Sequence, residues 1–363
     1  MVSKAQMRKT YRVLGLMSGT SLDGIDAAVI TTDGERILDE GPSRTVAFSD
    51  ETRDLLRATM REAVRWGFDG PAPNIFAAAE DVLDANHARV VESIAGEFDL
   101  IGYHGQTVLH RPEIGRTLQI GQGRRLAEAT GRTVVHDFRS ADVAAGGEGA
   151  PLAPVYHRAL VERSGLPGVT AVLNLGGVGN VTIVDGEMLL ASDTGPGNGP
   201  LDSWLGDMDR GGSVSQLGAP DFDRLAQWLK RPFFRRAWPK SADRYDFEVT
   251  DDMQGLSRVD GAATLAAFTA LSVRHTLRMM GARPDRVIVC GGGRHNRTMM
   301  TLLGLELGCE VVPAERHGWN SDALEAQAFA FLAARVVDGL PNSYPTTTGV
   351  PEPTVGGVIS RPG

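Results

Sequence analysis

The chain has 363 residues, of which 42% are hydrophobic and 23% are charged, and its formal net charge is −8. This length exceeds the size at which one hydrophobic core usually stops growing, so we expect two domains. The acidic balance and the lack of a dense basic block argue against a nucleic acid or an anionic membrane as a partner.

The number of cysteines and the length of the apolar segments indicate the cellular compartment. Cys290 and Cys309, the two cysteines of the chain, are too few for a disulfide framework, and we expect both to be reduced core residues. No apolar run approaches the roughly 20 residues that a membrane helix needs, and the N-terminal residues lead directly into a strand pattern. We therefore expect a cytoplasmic protein without a membrane anchor.

The first distinctive stretch is Gly15–Asp26, with the sequence GLMSGTSLDGID. Apolar runs at Tyr11–Leu16 and Ala27–Ile30 predict a strand before it and a returning strand after it. The stretch itself therefore forms the turn of a hairpin. The turn contains only small residues, namely Ser18, Gly19, Thr20 and Ser21.

Such a turn suits a triphosphate, because main-chain N–H groups and hydroxyls can approach an anion closely when no bulky side chain intervenes. Asp23 and Asp26 add carboxylates near the same point. These would hold a hydrated Mg²⁺ that bridges the protein and phosphate oxygens. The alternative is a plain hairpin with a polar turn.

The remainder of the first half alternates between strand and helix patterns. In chain order the patterns predict a strand at Arg36–Phe48, a helix capped by Ser49 and ending at Arg65, a helix at Asn74–Ala95, a strand at Asp99–Tyr103, a helix at Arg124–Thr130 and a strand at Thr133–Phe138. This order indicates a mixed α/β domain.

Two polar segments follow predicted strand ends, where ligands collect in α/β sheets. His104 opens the tetrad HGQT after the strand ending at Tyr103, although a histidine at this place is often structural. Arg139 and Asp142 begin the segment FRSADVAAGGEGAPLAP, whose glycines and prolines suit a hinge or the wall of a ligand site. The alternative for this second segment is a simple interdomain linker.

The second half repeats the opening plan of the first. Strands are predicted at Val169–Leu175, Val178–Val184 and Met188–Ser192, with small-residue turns between them. The recurring order indicates two related α/β domains. Asp193 is expected to leave the third strand into a Gly/Pro turn, where its carboxylate could act as a general base. A structural Asx-turn is the alternative.

The end of the chain adds a glycine-rich loop and two helices. The patterns predict a helix at Ala262–Met279, a strand at Arg286–Cys290 that enters Gly291, Gly292 and Gly293, a strand at Cys309–Pro313 and a helix at Leu324–Val337 with Glu325 near its start. The three glycines allow close approach of the main chain to a ring or a ribose. A dinucleotide-binding GxGxxG pattern is absent, which argues against a nicotinamide enzyme.

Seven motifs together resemble the anhydro-N-acetylmuramic acid kinases. They are MSGTSLDGID at 17–26, HGQT at 104–107, FRSADVAAGGEGAPLAP at 138–154, NLGGVGN at 174–180, DTGPGN at 193–198, CGGG at 290–293 and EAQAFAFLA at 325–333. The family belongs to the sugar kinase, Hsp70 and actin superfamily. The resemblance therefore implies an α/β fold with two ribonuclease-H-like domains and an ATP cleft between them. We expect the first domain at 1–136, the second at 137–340 and a tail at 341–363.

The resemblance also implies a reaction and its residues. Water would open the bridge of 1,6-anhydro-N-acetylmuramic acid, and O6 would take the γ-phosphoryl group of ATP with the help of Mg²⁺. Asp193 would be the catalytic base, and Asp23 and Asp26 the metal ligands. The implied ATP-binding residues are Gly19, Thr20, Ser21, Leu22, Asp23, Gly24, Ile25, Asp26, Gly176, Gly177, Asn180, Gly291, Gly292 and Gly293. The expected sugar-binding residues are His104, Arg139, Asp142 and Glu325.

The product would be N-acetylmuramic acid 6-phosphate, an intermediate of peptidoglycan recycling, and the resemblance implies a homodimer. Two other functions stay open at this point. An ordinary hexose or amino-sugar kinase of the same superfamily would phosphorylate a sugar whose 6-hydroxyl is already free. An actin- or Hsp70-like nucleotide switch would bind ATP without any sugar, but it would need an additional domain of typical size, for which the chain leaves no room.

Overall fold

The computed structural model describes residues 8–242, 244–249 and 251–363. The strands are β1 (Tyr11–Ser18), β2 (Gly24–Thr32), β3 (Ile37–Ala47), β4 (Leu100–Arg111), β5 (Arg116–Ile120), β6 (Thr133–His136), β7 (Thr170–Leu175), β8 (Val178–Asp185), β9 (Met188–Pro196), β10 (Arg286–Cys290), β11 (Glu310–Pro313) and β12 (Val358–Ser360). Almost all of them match a predicted strand, because their apolar residues recur at strand spacing.

The α-helices are α1 (Asp50–Trp66), α2 (Ile75–Ser93), α3 (Gly123–Thr130), α4 (Ser140–Ala144), α5 (Pro154–Arg163), α6 (Gly199–Leu205), α7 (Phe222–Trp228), α8 (Pro232–Arg235), α9 (Arg258–Met279), α10 (Arg297–Leu307) and α11 (Leu324–Val337). Short 3₁₀ helices lie at Pro112–Ile114, Gly206–Gly212, Ser215–Leu217, Arg244–Phe247, Asp251–Met253, Gly292–His295 and Ala314–His317. None of the helices in the described part of the chain is both long and apolar enough to cross a membrane.

The chain divides into two compact units. Unit 1 comprises Met1–Gly147, described from residue 8 onward, with Ala323–Tyr344 and Pro351–Gly363, and unit 2 comprises Glu148–Asp322 with Pro345–Val350. This division differs from the predicted boundaries at 136 and 340. The reason is that α11 packs on β1, β2 and β4 and so returns to the first sheet, and that β12 of the predicted tail pairs with β6.

Unit 1 is built on a seven-stranded sheet with the order β12-β6-β4-β1-β2-β3, in which β5 pairs with β4 outside this path. β1, β2 and β3 form an antiparallel meander, whereas β4 and β6 run parallel to β1. Buried apolar side chains of these strands pack against α1, α2 and α3 in one core. Ser49 caps α1 as predicted, since its side chain accepts a hydrogen bond from the Thr52 N–H.

Unit 2 repeats this topology in a five-stranded sheet with the order β11-β10-β7-β8-β9. β7, β8 and β9 form the antiparallel meander, and β10 and β11 run parallel to β7. A core of apolar side chains joins this sheet to α9 and α10. The predicted duplication is therefore confirmed, because both units have the ribonuclease-H-like strand order.

Two predicted strand ends are wrong, and both concern site residues. β4 continues to Arg111, so the HGQT tetrad lies within a strand that bends at Gly105, where φ is 71°. β9 continues to Pro196, so Asp193 lies within the strand and pairs with Asn180 instead of leaving into a turn. A register shift leaves Thr194 as an extra residue beside Asp193, which makes the strand end a bulge.

Helix α11 lies against a pair of glycines in the sheet of unit 1. Gly15 of β1 and Gly102 of β4 are neighbours in the parallel register. A Cβ atom on Gly15 would lie 1.7 Å from the Ala326 carbonyl oxygen, and one on Gly102 would lie 2.2 Å from the Phe329 carbonyl oxygen. Main chain therefore packs directly on main chain here, and any larger residue would push the helix away.

Replacing Gly15 by alanine should lower the free energy of unfolding by about 3 kcal/mol or more, because the methyl group has no space below α11. The control is Gly304→Ala in α10, where a Cβ atom meets nothing within 4 Å. That change should instead stabilise the protein by about 0.5–1 kcal/mol, since alanine favours a helix. Urea unfolding of both variants tests this difference, and equal stability of the two would contradict it.

Candidate active site

The turn between β1 and β2 in unit 1 exposes its small residues and buries its larger ones. Thr20, Ser21 and Asp23 are exposed, whereas the side chains of Leu22 and Ile25 lie in the core. Leu22 adopts a φ of 62° and its N–H donates to the Gly19 carbonyl at 3.1 Å. Of the predicted ATP-binding residues, Leu22 and Ile25 could therefore contact a ligand only through main-chain atoms.

This turn is supported from behind by β4. The Ser18 hydroxyl donates to the Gly105 carbonyl at 3.1 Å, and the Gln106 amide donates to the Gly19 carbonyl at 3.2 Å. Gln106 is buried, and its Oε1 has no hydrogen-bond partner among the described atoms. The structure thus brings the HGQT tetrad and the Gly/Ser/Thr turn together, although they are far apart in the sequence.

The two predicted metal ligands flank the start of β2. Asp23 is exposed, and Asp26 is half-buried and accepts a hydrogen bond from the Thr45 hydroxyl at 2.6 Å. Among the described residues, no group of three or more His, Cys, Asp or Glu side chains could hold a metal ion. Two carboxylates nevertheless fit Mg²⁺, which usually takes one or two of them and completes its shell with water and phosphate oxygens. Gly24, between them, leaves room for the Val46 carbonyl, which a Cβ atom would approach to 2.3 Å.

His104 and Arg139 form a hydrogen-bonded pair in unit 1. The His104 Nδ1 lies 2.8 Å from the Gly105 carbonyl oxygen, and its Nε2 accepts from the Arg139 Nε at 3.2 Å and Nη2 at 3.0 Å. Burial, together with the positive charge of Arg139, holds the pKa of His104 well below its usual value. The imidazole is therefore neutral, with Nδ1 as donor and Nε2 as acceptor, and it orients the guanidinium.

The other two predicted sugar-binding residues differ in exposure. Asp142 of α4 is buried, and a Cβ atom on Gly147 would lie 2.2 Å from its Oδ1, so this glycine makes room for the carboxylate. Glu325 is exposed in the first turn of α11. Glu325 lies one helical turn before Phe329, whose ring is 4.5 Å from the ring of His104. The structure thus places Glu325 on the side of α11 that faces His104.

In unit 2, Asp193 is held by the residues 240–242, which lie in no helix or strand. Its side chain is buried, with the residue 7% exposed. The Asp193 N–H donates to the Lys240 carbonyl at 3.0 Å, and its Oδ2 accepts from the Ala242 N–H at 2.8 Å. The carboxylate of Asp193 is therefore oriented by a main-chain N–H group that lies 49 residues later in the chain.

The turn between β7 and β8 contacts the segment that follows Asp193. The N–H groups of Gly197 and Gly199 donate to the Gly177 carbonyl at 3.1 and 3.2 Å, and the Asn198 N–H donates to the Gly176 carbonyl at 2.7 Å. Cβ atoms on Gly176 and Gly177 would meet almost nothing, so the outer side of this turn is open. The structure thus unites Gly176, Gly177 and the DTGPGN motif in one corner of unit 2.

The glycine loop after β10 lies beside the same corner. Gly291 and Gly293 are needed for close packing, since Cβ atoms on them would lie 2.4 Å from the Asn174 Oδ1 and 2.7 Å from the Leu175 Cβ. Gly292 instead has nothing within 4 Å of its Cβ position. It lines a cavity of about 170 Å³ together with Asn198, Leu201, Asp202, Gly206, Asp209, Arg210, Gly211, His295 and Asn296.

One wall of this cavity is fixed by Asp209, which sequence reasoning missed. Its two carboxylate oxygens accept hydrogen bonds from the main chain of Val214 and Ser215, from the Ser215 hydroxyl and from the Asn296 amide, at 2.7–3.0 Å. Asn296 also caps α10 by accepting from the Met299 N–H. Asp209 lies in a short segment rich in aspartate and glycine. This segment has neither helical nor strand periodicity, so the sequence does not distinguish Asp209 from its neighbours.

Comparisons with known proteins show the family to which the chain belongs. A family model described as anhydro-N-acetylmuramic acid kinase matches residues 11–362. The chain belongs to this family. Among its curated relatives, the anhydro-N-acetylmuramic acid kinase of Rhizobium rhizogenes is 49% identical over 366 residues, covering 96% of this chain and 98% of that protein. The enzyme of the same name from Mesorhizobium japonicum is 48% identical over 365 residues, with the same coverage.

Membership of the anhydro-N-acetylmuramic acid kinase family makes the chain an enzyme, a kinase that transfers a phosphoryl group. The suspected resemblance is confirmed, and the nucleotide switch without an enzymatic activity is excluded. The similarity runs through nearly the whole length of both chains.

The buried histidines should make stability depend on pH. Burial lowers the pKa of His87 to about 4 and that of His104 well below its usual value, so both are neutral in the folded unit 1. In the unfolded chain the pKa of each histidine is about 6.5. Because the unfolded state then binds more protons, the free energy of unfolding should fall between pH 6.5 and pH 5, by about 1.5 kcal/mol for His87 and in the same direction for His104. Urea unfolding at several pH values measures this slope.

The variant His87→Gln should reduce that slope by the contribution of one proton, whatever its effect on stability at neutral pH. A slope that does not change in this variant would show that His87 is protonated in the folded protein.

Proposed function

We propose that this kinase uses water to open the 1,6-anhydro bridge of anhydro-N-acetylmuramic acid and phosphorylates O6 with ATP. In this reaction a water oxygen forms a bond to C1 while the bond between C1 and O6 breaks. O6 then takes the γ-phosphoryl group, and ADP leaves. The product, N-acetylmuramic acid 6-phosphate, would return cell-wall sugar to metabolism in peptidoglycan recycling.

The observation that carries the proposal is the fixation of Asp193. A general base must be ionised, oriented and within reach of the proton that it removes. The carboxylate of Asp193 is buried and accepts the Ala242 N–H at 2.8 Å, which orients it. Asp193 would take the proton from the attacking water and so raise its nucleophilicity toward C1.

The phosphate chain of ATP would be bound by the turn Gly19–Asp26. Its exposed small residues leave main-chain N–H groups and hydroxyls accessible, as anion binding requires. Asp23 and Asp26 would hold Mg²⁺, which neutralises charge on the phosphate oxygens when bound. Phosphoryl transfer needs mainly such positioning and charge stabilisation, which this turn can provide.

The adenosine part of ATP would occupy the corner of unit 2 formed by Gly176, Gly177, Asn180 and the loop Gly291–Gly293. The cavity beside Gly292 would accept a flat ring, because no side chain projects from this glycine. Close approach of a main chain to a ring or ribose is a common use of such glycines.

The sugar would be recognised by residues of unit 1. Arg139 offers a planar set of N–H donors that suits a carboxylate, such as the lactyl group of the substrate. Neutral His104 holds this guanidinium through Nε2, so it would act on the sugar through Arg139. Asp142 and Glu325 would accept hydrogen bonds from sugar hydroxyl or amide groups.

Replacing Asp193 by asparagine tests the proposed base directly. Asparagine keeps the shape and can still accept the Ala242 N–H, but it cannot take a proton from water. Turnover of the anhydro sugar should fall by about 10³-fold or more, while ATP affinity, measured by calorimetry, should stay nearly unchanged. Surviving turnover together with lost ATP binding would contradict the assignment.

Replacing Gly292 by valine tests the adenosine site. The side chain should enter the cavity and raise the KM for ATP by about tenfold, equivalent to about 1.4 kcal/mol. The fold should be unaffected, because nothing lies within 4 Å of the Cβ position. Gly304→Val is the matched control, since that glycine is equally open but does not line the cavity. An unchanged KM for ATP in Gly292→Val would place the adenosine elsewhere.

A further inference from the structure

Lys240 is a buried cation that the proposed reaction does not use. The residue is 0% exposed, which is rare for a lysine. Its ammonium group donates to the carbonyl oxygens of Phe233 at 2.9 Å and Arg236 at 3.2 Å, and it lies 4.3 Å from the centre of the Phe233 ring. A charge is costly to bury, so these contacts must hold the side chain firmly.

The segment around Lys240 is the one that holds Asp193. The Lys240 carbonyl accepts the Asp193 N–H at 3.0 Å, and the Ala242 N–H donates to the Asp193 Oδ2 at 2.8 Å. The Ser192 hydroxyl adds a contact to the Lys240 carbonyl at 3.4 Å. The main chain on both sides of Ser241 therefore fixes the strand and the carboxylate of Asp193.

Glu148 anchors the same segment from another direction. Its Oε2 accepts from the Ser241 N–H at 2.9 Å and from the Ser241 hydroxyl at 2.7 Å. Its two carboxylate oxygens also accept from the Arg236 Nη2 at 2.9 and 3.0 Å. The segment 236–242 lies in no helix or strand, so side-chain contacts of this kind decide its position.

The charges around Lys240 connect it to Asp193 as well. Burial and the positive charge of Arg236 lower the pKa of Lys240 to about 8, whereas the negative charge of Asp193 raises it. The ammonium group of Lys240 and the carboxylate of Asp193 therefore attract each other. Lys240 thus contributes both a fixed position and a favourable charge.

We propose that Lys240 and Glu148 are positioning residues for Asp193, which hold the segment 236–242 so that the Ala242 N–H orients the Asp193 carboxylate. Neither residue is proposed to contact the substrate. The inference rests on the role of Asp193 as the base in the proposed function. Since a small misplacement of a catalytic group can cost about 10²-fold in rate, loosening this segment should affect kcat before it affects binding.

The test compares Lys240→Met and Glu148→Gln with the wild-type enzyme. Methionine fills the space of the lysine but removes the ammonium group that donates to the carbonyls of Phe233 and Arg236. Glutamine removes the charge that holds Arg236. We expect kcat with ATP and 1,6-anhydro-N-acetylmuramic acid to fall by about 10²-fold for Lys240→Met and about tenfold for Glu148→Gln. The KM values for both substrates should stay within about threefold of the wild type.

Lys230→Met is the control, because it removes the charge of an exposed lysine in the same unit and should leave both kcat and KM unchanged. Thermal melting shows whether each variant is folded. If Lys240→Met does not fold, Glu148→Gln decides, since its side chain is partly exposed and the change is nearly isosteric.

Wild-type kcat in both folded variants would overturn the inference, as would a loss that appears only in KM. These outcomes leave the proposed function intact if Asp193→Asn is inactive in the same assay. If the wild-type enzyme itself does not turn over the anhydro sugar, the proposed function fails and the inference fails with it.

Discussion

Direct contact between main chains, made possible by glycine, is the constraint on which both units depend. In unit 1 the pair Gly15 and Gly102 lets α11 lie on the sheet without intervening side chains. In unit 2 a Cβ atom on Gly197 would lie 2.2 Å from the Gly176 carbonyl oxygen, so glycine is needed here for the β7–β8 turn to contact the segment that follows β9. The same feature that packs these elements leaves their outer sides open to a ligand.

The carboxylate of Asp193, the proposed catalytic base, is positioned by long-range hydrogen bonds. Asp193 lies in the bulged end of β9, and its orientation depends on Ala242 from a segment without regular structure. Buried Lys240 and Glu148 hold that segment. Neutral His104 has a comparable role in unit 1, where it orients Arg139. In each unit a buried residue thus orients another residue that is proposed to contact a substrate. His104 orients Arg139 toward the sugar in unit 1, and Lys240 holds the segment that orients Asp193 toward the water in unit 2.

Much of the fold could be predicted because its signals are local. Apolar runs predict β1 and β7, Ser49 predicts the start of α1, and the small-residue turns indicate the duplication. The errors occurred where distant contacts decide. The sequence predicts a strand that ends at Tyr103, just before the HGQT tetrad, but β5 pairs with Gln106 and Thr107 and extends β4. The sequence order places helix α11 in the second domain, because the helix follows the strands of that domain in the chain. In the structure, however, α11 packs on β1 of unit 1.

The site shows the same limit. The motifs indicated Asp193, His104 and Arg139, because catalytic and anion-binding residues belong to few residue types. Lys240 and Asp209 could not be found in this way, since their partners lie far along the chain or in glycine-rich loops.

The most direct test of the account is mass spectrometry of the product formed from ATP and 1,6-anhydro-N-acetylmuramic acid in ¹⁸O-labelled water, with unlabelled product incubated alongside to measure exchange. The account predicts a 6-phosphate carrying one heavy oxygen at C1. A phosphorylated product without the label, or turnover only with a sugar whose ring bridge is already open, would contradict it.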